Sequence, residues 1–213
     1  MIGDAIHIKE AYFITANTIF GLLNKSLSQS KKFVIGIGGE SGSGKSVTAI
    51  CLQKVLEENG IRSQIIHQDD YFFFPPKTNH EMRVANFDHV GFQEVDIALI
   101  HQQIEAFKND DAEISKPLVN YQENIITSET VDLQNVKVLL IEGTYILQLN
   151  NLDYKIFIDR NYQDTLPQRK ARGRESITPF VEKVLEKEHQ LIAPLKKDAD
   201  LIISKDYSVI TNK

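Results

Sequence analysis

Four groups of residues in this chain have the types and spacing to do chemistry. The first is Gly39-Glu40-Ser41-Gly42-Ser43-Gly44-Lys45-Ser46, which satisfies the Walker A pattern G-x-x-x-x-G-K-[ST] at every fixed position. Glycines in such a loop let the backbone turn with positive φ and bring N–H groups around an anion. A following helix adds its dipole and its free donors. On this reading the stretch Gly39 to Val47 wraps the phosphates of a nucleoside triphosphate. Lys45 reaches the outer phosphates, and the Ser46 hydroxyl faces Mg²⁺. The bland alternative is a glycine-rich turn joining strand to helix. The order strand, loop, helix in "FVIGIGGESGSGKSVTAICLQKVL" favours the phosphate site.

The other groups are acids, aromatics and arginines. Asp69 and Asp70 follow an apolar run in "HQDDYFFFPP". A carboxylate there could orient an acceptor hydroxyl and take its proton, or meet a metal or its water shell, and Asp69 is the choice for both. The plain reading is that the pair caps a turn. Glu142 ends "VLLIE", where a charge after an apolar run needs solvent or a partner, and a Mg²⁺ ion is the expected partner. Tyr71 and the three phenylalanines after it could stack on a planar ligand or pack a turn. Asp88 and His89 in "NFDHVGFQ" are candidates for sugar hydroxyls. Arg169, Arg172 and Arg174 cluster in "LPQRKARGRE", with Arg169 and Arg172 on one helix face. Above a bound triphosphate such a cluster serves as a lid that stabilises the transferring group.

The elements that must position these groups follow from periodicity. Apolar residues at helical spacing (Ile8, Tyr12, Ile19, Leu22, Leu23) predict a helix over 4–29. A strand in 31–39, a helix over 46–59 stopped by Gly60, and a strand at 62–68 come next. Residues 71–92, with Pro75-Pro76, read as a long loop. A helix over 92–110 and a hairpin excursion over 112–133, interrupted by Pro117, are then expected. Strands at 136–143, 154–160 and 199–204 bracket helices at 163–174 and 178–191. The expected fold is α/β: a doubly wound, mostly parallel five-stranded sheet with helices on both faces. Ligands bind beyond the carboxyl ends of such strands, where the loop, Asp69 and Glu142 fall.

At 213 residues the chain reads as one domain, a helical extension over 1–30 followed by the P-loop unit over 31–213. A net charge of −5 argues against nucleic acid as a partner, and no run is apolar and long enough for a bilayer. The mixed charges of "MIGDAIHIKE" are unlike a signal peptide. The single cysteine, Cys51, excludes an intrachain disulfide and Cys-rich zinc sites. A cytoplasmic location is expected, and a homo-oligomer is compatible with the composition.

Together these motifs resemble the uridine kinase and phosphoribulokinase family of P-loop kinases, over residues 33 to 204. "GIGGESGSGKS" is similar to that family's opening, and "IIHQDDYF" to its second-strand motif, whose first Asp is the base; this maps to Asp69. "NFDHVGF" is similar to its ribose-binding segment, which implies Asp88, and "LLIEGTYIL" implies Glu142 as an acid beside magnesium. "RGRE" and "KKDADLII" resemble its lid and late strand. Tyr121, in "VNYQENIITSE", matches a hairpin Tyr; the His and Arg that read the pyrimidine in that family have no counterpart in this stretch. "QDDYFFFP" is also similar to nicotinamide riboside kinases. The resemblance implies ATP, Mg²⁺ and transfer of the γ-phosphoryl group to a hydroxyl of a small riboside, first of all the 5′-hydroxyl of uridine or cytidine.

Two readings of other classes compete. "DHVG" fits the D-x-x-G of a GTPase switch, but it ends no apolar strand and no N-K-x-D follows. A non-catalytic nucleotide sensor would not need Asp69 beside a complete phosphate loop.

Overall fold

The structure is a computed structural model that describes residues 8–172 and 178–212. A six-stranded sheet in the order β2-β5-β1-β6-β7-β8 forms its centre. These strands are β1 Phe33–Gly39, β2 Ser63–His67, β5 Val138–Gly143, β6 Tyr154–Ile158, β7 Leu201–Ile203 and β8 Val209–Thr211. The first five named pair in parallel, and β8 runs antiparallel to β7. Five strands were expected; β8 is the sixth. It is three residues long and mostly exposed, too short to show a period of its own.

Both faces of the sheet are covered, which is why its strands read as unbroken apolar runs. The period of two sorts the side chains. Phe33, Ile35 and Ile37 of β1 and Val138 and Leu140 of β5 face the helices α1 Glu10–Gln29 and α2 Lys45–Glu58. Val34, Leu139 and Ile141 point to the other side, into a core shared with Ile100, Ile104 and Phe107 of α4 Ile97–Lys108. Helix α1 buries Ala16, Ile19, Leu23 and Leu27, while Leu22, expected on that stripe, is exposed.

The hairpin excursion pairs β3 Glu113–Asn120 with β4 Ile125–Asp132. Pro117 does not break it. In a two-stranded ribbon every strand is an edge, where a missing N–H is tolerated. A larger departure lies in 71–92, which is not one long loop. Pro76 opens a helix, α3 Pro76–Ala85, as proline does at a first helical position. Only Asn79 of α3 is buried, so no apolar stripe marks it in the sequence. Two further helices, α5 Leu166–Arg172 and α6 Pro179–Ile192, precede β7. No helix among the described residues is long and apolar enough to cross a membrane.

Candidate active site

Strand β1 lies between β5 and β6, while the chain itself passes from β1 through α2 to β2, so the order reverses at the carboxyl end of β1. The phosphate loop sits at that point. Gly42 (φ 77°) and Gly44 (φ 106°) adopt the left-handed backbone the loop requires. The Lys45 ammonium is buried and donates to the Glu40 carbonyl at 3.0 Å. Ser43 is buried, and its hydroxyl has no hydrogen-bond partner among the described residues. Val47 is the exception in this stretch: its side chain packs into the core behind the loop, which leaves only its backbone for a ligand.

Register brings the acids to the loop. Glu142 pairs with Ile37 of β1 on one side and His67 of β2 on the other. The Ser46 hydroxyl donates to Glu142 Oε1 at 3.0 Å, and His67 Nδ1 lies 2.6 Å from the same oxygen. Burial of Glu142 works against its charge, but His67, Lys45 and Ser46 outweigh burial and hold the carboxyl below its usual range. Burial likewise opposes protonation of His67, and Glu142 more than offsets it, raising the imidazole above its ordinary value.

A polar cavity of about 70 Å³ is lined by Ser41, Gly42, Gly44, Lys45, Ser46, Asp69, Glu142 and Thr144. Three hydroxyl-bearing residues, two carboxylates and an ammonium around one small space bordered by loop glycines match the groups that a Mg²⁺–phosphate pair needs. The residues present therefore fit that group, with Ser46 and Glu142 the natural metal side and Lys45 the phosphate side.

Asp69 and Asp70 separate at the turn after β2. The Asp70 carboxylate is fully buried, accepts from Lys116 Nζ at 2.7 Å and from the Val119 N–H at 3.1 Å, and so clamps the turn to β3. Asp69, half-buried, faces the polar cavity and also a second, larger one of about 530 Å³. The larger cavity has apolar walls from Phe72, Phe74, Val119, Val181 and Leu185, and polar groups from Asn79, Arg83, Tyr121 and Glu188. Ser41, Asp69 and Thr144 line both spaces.

The remaining candidates divide. Arg169 is buried over the loop, its Cγ only 2.8 Å from where a Cβ on Gly42 would stand. Thr165, one turn earlier, donates to the Ser41 carbonyl at 2.9 Å and fastens α5 to the loop. Arg174 and the side chain of Arg172 lie outside the described residues. Tyr121 lines the larger cavity. Tyr71 does not: it is turned into the core, its hydroxyl donating to Gln103. The Asp88 side chain is 97% exposed, with Lys187 at 3.6 Å, and His89 bonds Asn79 at 3.0 Å; neither is among the lining residues. A 3-10 turn over Phe87–His89 points Asp88 outward.

Sequence reasoning missed the polar wall. Arg83 donates to both oxygens of Glu94, at 2.7 Å for Oε2, and to Glu188 at 3.0 Å. Asn79 and Arg83 are one helical turn apart, so the spacing was visible, but only a reading of α3 as a helix turns it into a wall.

Comparison with known proteins agrees with this geometry. The family model described as Phosphoribulokinase / Uridine kinase family matches residues 34–211. A bifunctional alpha-galactosidase/sucrose kinase from Mediterraneibacter gnavus is 29% identical over 192 residues, 84% of this chain but 20% of that protein. A uridine kinase from Clostridium novyi is 31% identical over 186 residues, covering 81% of this chain and 87% of its own. The solved structure of a possible uridine kinase from Bacillus stearothermophilus superposes with a TM-score of 0.64 at 20% identity, over 91% of this chain and 97% of its own, and speaks for the fold. With a complete phosphate loop and an acid at two strand ends beside it, this chain belongs to the phosphoribulokinase / uridine kinase family and is a P-loop, ATP-dependent kinase.

Proposed function

We propose that the protein transfers the γ-phosphoryl group of Mg²⁺-ATP to a hydroxyl of a small polar molecule held in the larger cavity, the 5′-hydroxyl of a nucleoside such as uridine or cytidine being the first candidate. The observation that carries this is the shared wall of the two cavities: Asp69 faces both. An acceptor hydroxyl beside Asp69 is oriented by the carboxylate and gives up its proton to it. Lys45 and the loop N–H groups hold the phosphates, and Arg169 adds positive charge above the loop. Ser46 and Glu142, with Asp69 beside them, would hold Mg²⁺, which would supply charge neutralisation on the phosphates.

A second reading, a sugar hydroxyl as acceptor, is favoured by one observation. Asp88, which the resemblance assigns to a ribose, and His89, a candidate for sugar hydroxyls, do not line the cavity, whereas Asn79, Arg83 and Glu188 do. The relative named as a sucrose kinase adds weight to it. Product mass after incubation with ATP, Mg²⁺ and separate uridine, cytidine, nicotinamide riboside, hexose and sucrose decides between them. Gain of one phosphate by a nucleoside supports the first reading, and gain by a sugar alone replaces it with the second. ATP binding with no phosphorylated product in any arm contradicts both.

A further inference from the structure

Helix α1 precedes the residues that the family model matches, yet its first turn reaches the phosphate loop. Ala16, Ile19, Leu23 and Leu27 are buried in the core shared with α2, and Tyr12, Phe13 and Phe20 pack at its margin. Tyr12 goes further. Its hydroxyl stands 2.7 Å from the position a Cβ on Gly44 would take. Its ring meets that of Tyr207 edge-on, with centroids 4.9 Å apart.

Tyr207 is held in an unusual state. It sits in the turn between β7 and β8 with φ 70°, where glycine or asparagine is the ordinary choice. Such a backbone on a bulky residue is strained and persists only when its surroundings impose it. They do here. The Thr15 hydroxyl donates to the Tyr207 carbonyl at 2.8 Å, the Arg160 guanidinium lies 4.0 Å over the ring, and Arg160 also donates to the phenol oxygen at 3.2 Å. Arg160 is anchored in turn by the Lys205 carbonyl at 2.6 Å. All three side chains are half-buried rather than sealed in the core.

Their place in the sheet supplies the meaning. Asp69 and Glu142 lie at the ends of β2 and β5, and the larger cavity meets the polar one beside Asp69. Arg160 follows β6 and Tyr207 follows β7, on the opposite side. In phosphoryl transfer the attacking and leaving oxygens stand roughly in line across phosphorus. A triphosphate whose outer end meets an acceptor near Asp69 extends away from Asp69, and the β6 and β7 side of the loop is the side opposite it.

We propose that α1 completes the donor-nucleoside site: Tyr12, with Tyr207 and Arg160, forms the wall against which the ribose and base of the bound triphosphate lie. The phenol hydroxyls offer hydrogen bonds to ribose or base, and the guanidinium offers a planar cationic face. This rests on the kinase reading of the loop.

The test compares full-length wild type, Tyr12→Phe and Tyr12→Leu by calorimetric titration with Mg²⁺-ATP and, separately, with Mg²⁺-tripolyphosphate, which has the phosphates but no nucleoside. Loss of one hydrogen bond predicts a Kd for ATP weakened roughly 3- to 10-fold in Tyr12→Phe, and further in Tyr12→Leu, with tripolyphosphate binding unchanged. Unfolding midpoints measured alongside establish that both variants are folded. Unchanged or tightened ATP binding in both variants overturns the proposal. So does an equal loss for ATP and tripolyphosphate, which would make Tyr12 a support of the loop alone. Failure of the wild type to bind either ligand removes the kinase reading together with this one.

Discussion

Asp69 and Asp70 are adjacent in sequence and differ in everything that follows. Asp70 is fully buried against Lys116, whose ammonium also meets Glu129 at 2.8 Å. Breaking a buried ion pair from one side strands the other charge, so Lys116→Met should lower unfolding free energy by about 3–5 kcal/mol in urea denaturation. Asp69→Asn keeps the shape and one oxygen of a half-buried side chain and should cost less stability than Lys116→Met in the same measurement. A variant pair with the opposite ranking would reverse the two roles. Gly42 makes a second prediction at this scale. Alanine there meets Arg169 Cγ at 2.8 Å and must hold φ near 77°, so Gly42→Ala should displace Arg169 or the loop. ATP affinity measured by titration should fall about 5- to 30-fold, the equivalent of about 1–2 kcal/mol for that backbone strain.

Helix α3 shows where elements could and could not be read. The strands, α2 and α4 carry their partner surfaces in their periodicity, and their bounds fall within a few residues of expectation. Helix α3 faces a cavity instead of a core. Its inward residues, Asn79 and Arg83, are polar, and no hydrophobic period announces them. The same cause hid the polar wall of the larger cavity: Glu94, fully buried, pairs with Arg83, and Glu188 comes from α6, far along the chain. The phosphate loop, Asp69 and Glu142 were legible because their chemistry fixes residue type and spacing within one short segment. Asp88 and Tyr71 were not, because a turn's direction decides whether a side chain meets a cavity, solvent or the core. Arg83→Met should leave Glu94 buried without its guanidinium, destabilising the fold by about 3–5 kcal/mol in urea denaturation and disordering the wall of the larger cavity. Arg83→Lys, which keeps the charge but loses the forked contact, should fall between the two.

For the whole molecule the sheet order is the organising fact. It puts Asp69 and Glu142, at the ends of β2 and β5, on one side of β1 and the turns after β6 and β7 that carry Arg160 and Tyr207 on the other, with the loop between them. The join of β2 to β5 at His67 and Glu142 also couples global stability to pH. Because the folded imidazole titrates above its ordinary 6.5, its contribution is complete below that value and is lost as pH rises through the folded one. In metal-free protein kept in EDTA, unfolding free energy should therefore decline as pH rises from about 6.5 toward the folded value, and His67→Gln should flatten that decline. Equal slopes in the two proteins would deny the pair its role.

The most direct test is the rate of γ-phosphoryl transfer from ATP to the accepted substrate, with ATP affinity measured on the same preparations of wild type and Asp69→Asn. Loss of a positioned general base predicts a fall of about 10²–10⁴-fold in kcat with the ATP Kd little changed. An Asp69→Asn enzyme that turns over at the wild-type rate would contradict the assignment of the carboxylate shared by the two cavities as the group that receives the acceptor's proton.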